Sequence, residues 1–231
     1  MISVIIPTYN EAIIIADTIN IVRQNDVAGL VKEIIITDGG STDNTTSIAE
    51  ANDATVVHSA KSRAVQMNAG AAFATQPVLY FLHADTIPPL DYSSLICKTV
   101  LKDRPAGFFK MTFDYPHWFL KANCWFTRFN WSVFRFGDQS MYVTKKIFLA
   151  AGGFNENLIL LEDQDFATRL KEITDTCVLR NTVITSARKY QEHGVYKTQA
   201  TFYLVYLLYR FAASQKTLLT VYQHFIKSHK F

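Results

Sequence analysis

The chain has few cysteines and no long apolar run, and these absences exclude several kinds of protein. Its three cysteines, Cys97, Cys124 and Cys177, are odd in number and show no metal-binding or redox spacing. We therefore expect reduced thiols and a cytoplasmic location. We also expect no secretory leader, because a strand pattern begins at residue 2. The longest charge-free stretch near the C-terminus, residues 198–209, is too short to span a bilayer.

Glycine is also scarce, and none stands where a phosphate-binding loop would need it. The turn after the first strand pattern reads PTYNE, without a glycine. A nucleotidyltransferase would need a glycine-rich loop at this place, and a dinucleotide-dependent oxidoreductase would need G-x-G-x-x-G. The sequence therefore argues against both classes of enzyme.

Charge is distributed unevenly along the chain. Of 231 residues, 49% are hydrophobic, which is enough for one domain with a substantial core. The net charge is +3, but residues 188–231 hold seven Lys and Arg and one acid, Glu192, for a net +6. The remainder therefore carries −3. An acidic region and a basic C-terminal region predict surfaces with different partners.

The first 90 residues alternate strand and helix patterns. The apolar run Ile2–Ile6 is stopped by Pro7 and followed by a helical pattern from Ala12 to Val22. Further strand patterns cover residues 33–37, 55–58 and 78–82, with helical patterns between them. This alternation predicts a parallel sheet covered on both faces.

Polar side chains follow the ends of these strands. Thr8, Asp38, His58 and Asp85 stand at or just beyond four successive strand patterns. Ligands of such sheets bind beyond the carboxyl ends of the strands. We therefore expect the four side chains to converge on one crevice.

A cluster of carboxylates follows an apolar run in the second half. Four acids lie between Glu156 and Asp165, directly around the apolar residues 158–161. Carboxylates beside apolar residues are costly to bury unless they are compensated or used. The plainer alternative is a helix start, where acids favour the helix dipole.

Six motifs in this order resemble a family 2 glycosyltransferase with the GT-A fold. They are VIIPTYNEA, ITDGGSTDNT, SRAVQMNAGA, LYFLHADT, FGDQSMYV and GGFNENLILLEDQDFATRL. The resemblance covers residues 2 to about 198. Within the family, the chain is similar to a small bacterial single-domain subgroup. It implies an α/β fold with a mainly parallel central sheet flanked by helices. The implied domain is residues 1–198, with a nucleotide-binding half at 1–90 and an acceptor-side half at 91–198. Residues 199–231 are then a helical C-terminal extension.

The resemblance implies transfer of a sugar from a nucleoside diphosphate sugar. The residues that it assigns to the nucleotide are Pro7, Thr8, Tyr9, Glu11, Asp38, Arg63, His83, Ala84 and Arg188. For Asp38 an Asx turn or helix cap is the alternative, because Asp-Gly-Gly-Ser is turn chemistry. For Arg63, which follows Ser62 where the family usually has Gly, the alternative is a solvated arginine at a helix start.

A divalent cation, Mn²⁺ or Mg²⁺, is implied at Asp85, within a His-Ala-Asp sequence where GT-A enzymes carry Asp-x-Asp. The cation would bridge the two phosphates and neutralise the departing diphosphate. Because His83 replaces a carboxylate, Mn²⁺ suits the motif better. His193 is a further candidate ligand, with plain surface exposure as its alternative. Asp85 has the alternative of capping the turn before Pro88.

The acidic cluster matches the Glu-Asp pair of inverting family members. Asp163 is then the general base, with Glu162 beside it, and we expect Asp165 to point elsewhere. Gly137, Asp138 and Gln139 are implied on the acceptor side, and Gly152-Gly153-Phe154 is interpreted as a structural turn. With one base and no carboxylate nucleophile, the expected reaction is a single displacement with inversion. The competing reading is a non-catalytic nucleotide-sugar binding or scaffolding protein, favoured by the degenerate metal motif.

The C-terminal extension allows two interpretations. Residues 201–213 are rich in Leu, Tyr and Phe, and residues 218, 222, 225 and 226 share one helical face. These helices pack on the sheet or on a second subunit of a homodimer. Alternatively they lie on an anionic membrane, at its inner face, beside a lipid-linked acceptor. The acceptor is otherwise unknown, and we expect no nucleic-acid partner.

Overall fold

Strand β1 (Ile2–Thr8) is a continuous run of buried residues near the middle of one eight-stranded sheet. The computed structural model describes residues 1–131, 135 and 139–226. The strand order is β3-β2-β1-β4-β7-β6-β8-β5. The strands besides β1 are β2 (Val31–Asp38), β3 (Thr55–His58), β4 (Val78–Phe81), β5 (Thr86–Ile87), β6 (Ala106–Phe113), β7 (Met141–Thr144) and β8 (Thr176–Thr185).

Helices cover both faces of this sheet and extend beyond it. They are α1 (Ile15–Gln24), α2 (Thr45–Ala51), α3 (Arg63–Phe73), α4 (Tyr92–Val100), α5 (Trp118–Trp125), α6 (Lys145–Ala150), α7 (Glu162–Ile173), α8 (Arg188–His193), α9 (Val195–Arg210) and α10 (Gln215–Phe225). A 3₁₀ turn, Phe126–Arg128, follows α5. Two apolar clusters, one centred on Ile6 and Tyr80 and the other on Ile5 and Phe81, form the core between sheet and helices.

The first four strands are parallel, as the alternation predicts, and the ends of β1, β2 and β3 are in register. Thr8 pairs with Asp38, and Asp38 pairs with His58. From β4 onward the sheet is mixed, because β7 runs antiparallel to both β4 and β6, and β5 to β8. The α/β architecture with a helical C-terminal part is therefore confirmed.

Two local predictions in the first unit were wrong. Pro7 does not end β1, which continues to Thr8. The β4 partner of β1 ends opposite Ile5, so the missing N–H of the proline interrupts no ladder on that side. Helix α1 begins at Ile15 rather than Ala12, because Asn10 has φ 54° and turns the chain first.

The C-terminal helices pack onto the rest of the chain. Val205, Leu218 and Tyr222 form a buried cluster with Leu160, from the segment that precedes α7. Helix α9 runs uninterrupted across residues 198 and 199, so the predicted domain boundary falls inside a continuous helix. In the described part of the chain, no helix combines the length and apolar character needed to cross a bilayer.

Candidate nucleotide-sugar site

A cavity of about 970 Å³ opens beyond the carboxyl ends of β1 and β4. The structure brings most of the predicted site residues to its walls. They are Pro7, Thr8, Tyr9, Glu11, Arg63, His83, Ala84, Asp85, Asp163, Arg188 and His193. Asp38, Glu162 and Gln139 are not among the lining residues, and Gly137 and Asp138 lie outside the described residues.

The floor of the cavity is held by a residue that the sequence did not suggest. The Gln66 side chain is buried, and its Nε2 donates to the carbonyls of Thr8 and Thr37, both at 2.7 Å. It thereby joins the ends of β1 and β2 from the side of α3. Its position in the middle of a helical pattern gave no signal of this contact.

Two buried oxygen atoms of the lining have no partner among the described residues. They are Thr8 Oγ1 and Gln164 Oε1. A buried polar atom without a hydrogen bond costs free energy, so such atoms in a cavity indicate where a ligand or water binds. Both Thr8, at the end of β1, and Gln164, in the first turn of α7, are placed to contact a ligand of this cavity.

The carboxylate of Asp38 is hydrogen-bonded within its own turn. Its carboxylate accepts hydrogen bonds from Gly40 N and Ser41 N, both at 2.9 Å, and from Ser41 Oγ. This is the Asx-turn alternative from the sequence. His58 Nδ1 lies 3.8 Å away, at the end of the next strand. The register thus brings Asp38 and His58 together, but beside the cavity rather than in its wall, so the predicted convergence holds only for Thr8 and Asp85.

Another carboxylate of this region is hydrogen-bonded just before α2. Asp43 accepts from Thr45 N, the first residue of α2, at 3.0 Å and from Ala12 N at 3.2 Å. Burial alone would raise the pKa of Asp43, but the hydrogen bonds from Thr45 and Ala12 outweigh it and lower the pKa.

Arg63 and Glu162 form an ion pair between the two halves of the chain. Arg63 Nε lies 2.7 Å from Glu162 Oε1, and the Glu162 side chain is fully buried. Arg63 begins α3 and also lines the cavity, whereas Glu162 begins α7. Glu162 is therefore compensated by a cation rather than left as a bare charge beside Asp163.

The acidic side chains in the first turn of α7 have different surroundings. Asp163 lines the cavity, while Asp165 Oδ2 is 2.7 Å from Arg169 Nη2, one helical turn along. Leu161 precedes the helix with φ 68°, a left-handed conformation that turns the chain into it. Three acids in the first turn also suit the helix dipole, so the plainer interpretation of the cluster is satisfied too.

The turn before this segment has the structural role expected of it. Gly152 and Gly153 have φ of 76° and 67°, where other residues are strained. A Cβ on Gly153 would meet Asn68 Oδ1 at 2.8 Å. Asn68 in turn accepts from Phe154 N at 2.9 Å, which fastens the turn to α3.

The predicted metal ligands share the cavity. Asp85, His83 and His193 all line it, and Asp85 is anchored through its carbonyl, which accepts from Ser186 N at 3.1 Å. No three His, Cys, Asp or Glu side chains are close enough to enclose a metal ion among the described residues. Mg²⁺ in phosphate-transfer sites usually takes one or two carboxylates and completes its shell with phosphates and water. The donors present fit that arrangement.

Arg188 lines the cavity close to Glu11, in the loop after β1. Its Nη2 is 3.6 Å from Glu11 Oε2, and Glu11 is buried while Arg188 is about half exposed. Lys61 Nζ lies 3.8 Å from the centre of the Tyr9 ring on the same side. Cations therefore surround the β1 loop, where the resemblance expects the nucleotide and its phosphates.

Gln139, which the sequence predicts on the acceptor side, is buried and contacts a residue that the sequence did not single out. Gln139 Oε1 accepts from Arg135 Nη1 at 3.2 Å. Arg135 is fully buried, donates to Phe129 O at 2.6 Å and lies over the Phe108 ring. Burial lowers the pKa of Arg135 to about 10. A single arginine in an aromatic segment carries no sequence signal for such burial.

The C-terminal helices form one wall of the cavity, although the sequence placed residues 199–231 outside the domain. Side chains of α8, α9 and α10 line it beside Met111 and Phe113 of β6. They include Tyr190, Gln199, Phe202, Tyr206 and Tyr222. Tyr190 Oη donates to Gln199 Oε1 at 2.9 Å. The half of the cavity lined by these helices and β6 is therefore largely aromatic.

Solved structures of similar fold bind nucleotides or nucleotide sugars. A mannosyltransferase from Pyrobaculum calidifontis, in complex with GDP-Man and Mn²⁺, is 18% identical with a TM-score of 0.68. TarS 1-349 from S. aureus, in complex with UDP, is 17% identical with a TM-score of 0.66. The matches cover 88% and 85% of this chain, but only 61% and 63% of those chains.

A third structure matches over more of its own length. Glucosyl-3-phosphoglycerate synthase from Mycobacterium tuberculosis, with Mn²⁺, UDP and glucosyl-3-phosphoglycerate, is 19% identical with a TM-score of 0.60. The match covers 92% of this chain and 80% of that one. No curated protein matches the chain.

The architecture is thus that of the GT-A glycosyltransferases. Residues 3–152 match the model of the family described as glycosyl transferase family 2. This match spans more than half of the chain, and the chain belongs to that family.

Proposed function

We propose that the protein transfers a sugar from a nucleoside diphosphate sugar to an acceptor hydroxyl, by a single displacement with inversion. The observation that carries the proposal is that Asp163 lines the same cavity as Asp85 and the β1 loop. Glu162 and Asp165, the neighbouring acids, do not line the cavity. Asp163 is therefore the acid of this turn that is placed to act on a bound acceptor.

The nucleotide is assigned to the side of the cavity formed by the β1 loop. Thr8 Oγ1 is available there for a hydrogen bond, and the Tyr9 ring offers a flat surface for the base. Arg188 is tied only at 3.6 Å to Glu11, which is long for an ion pair. A diphosphate offers Arg188 a better, bidentate partner.

A divalent cation at Asp85 would neutralise the charge that develops on the departing diphosphate. His83 and His193 line the same cavity and are the candidate additional donors. The imidazole groups favour Mn²⁺ over Mg²⁺.

Asp163 then acts as the general base. It accepts the proton of the acceptor hydroxyl as that oxygen attacks the anomeric carbon from the face opposite the diphosphate. One displacement of this kind inverts the configuration. The Arg63–Glu162 pair fixes the start of α7, and with it the position of Asp163.

The acceptor would occupy the aromatic half of the cavity. Phe113, Phe202 and Tyr222 suit an acceptor with an apolar part, such as a lipid-linked one. We also propose a cytoplasmic location, supported by Cys97, Cys124 and Cys177, which are all free thiols.

A donor screen tests the proposal. Thermal unfolding is followed with UDP-, GDP- and dTDP-sugars, each with and without Mn²⁺, and hits are assayed for release of the nucleoside diphosphate. We expect one nucleotide class to raise the unfolding temperature in a manner that depends on Mn²⁺. Binding with no turnover towards any acceptor would favour the non-catalytic binding protein instead. No stabilisation by any nucleotide would contradict both.

A further inference from the structure

Helix α9 exposes an apolar face to solvent and buries polar side chains. Its exposed apolar residues recur at helical spacing and continue just past its end: Tyr196, Ala200, Tyr203, Leu204, Leu207 and Phe211. Phe211 is 77% exposed and Leu207 is 52% exposed. Thr198, Gln199 and Thr201 lie on the buried side. An exposed apolar stripe of this length indicates a surface that is covered when the protein works.

Helix α5 continues this surface. Trp118, Lys121, Ala122 and Trp125 are exposed and share one helical face, while Leu120 and Cys124 are buried. The two helices are in contact, because the Tyr196 ring lies 5.1 Å from that of Phe119. We call the exposed side chains of α5, the 3₁₀ turn and α9 the aromatic face.

The aromatic face carries charge of one sign. Residues 115–131 and 194–226 contain no Asp or Glu. Exposed cations lie among the aromatic side chains of the face, namely Lys121, Arg128, Lys197 and Arg210. A partner for this surface therefore has to be apolar at the contact and negatively charged around it.

We propose that the aromatic face docks on the surface of an anionic lipid bilayer. Trp and Tyr side chains favour the interface between headgroups and acyl chains, and Lys and Arg favour anionic headgroups. Since no described helix can cross a bilayer, the attachment is peripheral. A second copy of the chain fits less well, because a two-fold contact through this face would place its cations opposite one another.

The aromatic face adjoins the mouth of the cavity. Asn123, Phe126 and Tyr203 line the cavity and belong to α5, the 3₁₀ turn and α9. The Tyr203 hydroxyl donates to Asn123 Oδ1, which closes this rim. Docking would therefore bring the mouth of the cavity to the lipid surface. That the bilayer also supplies the acceptor rests on the proposed function, but the docking itself does not.

Co-sedimentation with vesicles tests the docking on the full-length protein. Vesicles of phosphatidylcholine alone are compared with vesicles that also contain phosphatidylglycerol, at low and high salt. We expect sedimentation with the anionic vesicles at low salt and release at high salt, since salt screens the cations. A protein that stays in the supernatant with anionic vesicles at low salt would overturn the proposal.

Two pairs of substitutions identify the surface. Lys197→Glu with Arg210→Glu should weaken vesicle binding at least about tenfold, because two favourable charges are lost and reversed. Leu207→Gln with Phe211→Gln should weaken it similarly. The matched controls are Lys32→Glu with Lys102→Glu, and Ile13→Gln with Leu101→Gln, which change exposed residues of the same kinds elsewhere. Equal loss in the controls, or no loss in the face variants, contradicts the proposal.

Two further measurements distinguish membrane docking from a defect in the donor site and from dimerisation. Nucleotide affinity measured by calorimetry should be unchanged in the face variants, so a failure of docking is distinct from a failure of the donor site. Sedimentation velocity should give the same mass for wild type and variants. A wild-type dimer that Leu207→Gln with Phe211→Gln dissociates would show instead that the face joins two copies. Truncation after Lys197 is unsuitable, because it removes Phe202 and Tyr206 from the cavity wall.

Discussion

Arg63 Nε and Glu162 Oε1 are 2.7 Å apart, and this contact joins the start of α3 to the start of α7. The Glu162 side chain is buried, so its charge depends on this guanidinium for compensation. The next residue is Asp163, the proposed base. The start of α3 thus holds in place the turn that carries the proposed base.

Arg63→Ala should strongly destabilise the fold, because it leaves a buried carboxylate without its cation. The free energy of unfolding, measured with urea, should fall by about 3–5 kcal/mol. Adding Glu162→Gln to Arg63→Ala should restore part of this loss, since the neutral amide needs no counterion. A double variant no more stable than Arg63→Ala would show that the pair is not coupled.

Asp163→Asn should abolish transfer while nucleotide affinity stays close to that of wild type. Loss of a general base typically costs about 10²–10⁴-fold in rate. Asp165→Asn is the matched control, because Asp165 lies in the same turn but pairs with Arg169. We expect that control to retain most of its activity. Wild-type turnover in Asp163→Asn, or an equal fall in nucleotide affinity, would remove Asp163 from the role of base.

The sequence predicted the elements whose pattern is local. Strands β1 to β4 were located because apolar runs mark them, although Pro7 does not end β1 and the ends of β2 and β4 differ slightly from the prediction. It did not predict the roles of Gln66 or Arg135, since each depends on backbone carbonyls that only the folded chain brings near. The wall formed by α9 was missed for a related reason. The apolar pattern of that helix lies on both sides, so periodicity could not show which side faces the cavity.

Asp85→Ala and removal of metal by EDTA should have equal effects that do not add. Both would remove the same positive charge from the leaving diphosphate. The measurement is the rate of nucleoside diphosphate release in wild type and variant, each with EDTA and with Mn²⁺ restored. Full activity of the wild type in EDTA would show that the reaction needs no metal, leaving Arg63 or Arg188 to neutralise the charge.

The role of Asp38 can be separated from the turn that it stabilises. Asp38→Asn keeps an acceptor oxygen for Gly40 N and Ser41 N but removes the charge, so nucleotide affinity should fall if Asp38 contacts the donor. Ser41→Ala removes one hydrogen bond of the turn and leaves the carboxylate, so its affinity should be unchanged. Calorimetry with the free nucleoside diphosphate compares the two. If both variants bind the nucleoside diphosphate as tightly as wild type does, the role of Asp38 is limited to its turn.

The protein should lose stability at alkaline pH. Burial raises the pKa of Tyr80, Tyr92 and Tyr142 above the ordinary value of 10.0. The folded state therefore keeps protons that the unfolded state releases, and stability falls as pH rises above about 10. Arg135 and Lys171, whose pKa values burial lowers, act in the opposite sense. Tyr92→Phe should make the decline less steep, as measured by urea unfolding at several pH values. An unchanged slope would contradict this cause.

Helix α9 contributes to two surfaces at once. Phe202 and Tyr206 line the cavity, while Leu204 and Leu207 lie in the exposed stripe of the same helix. A ligand in the cavity and a bilayer on the outer side would both restrict the motion of α9. The first of the two to bind bears the conformational-entropy cost of that restriction, so the second binds more tightly. By thermodynamic reciprocity each strengthens the other by the same factor, and a filled cavity should hold the protein longer at a membrane.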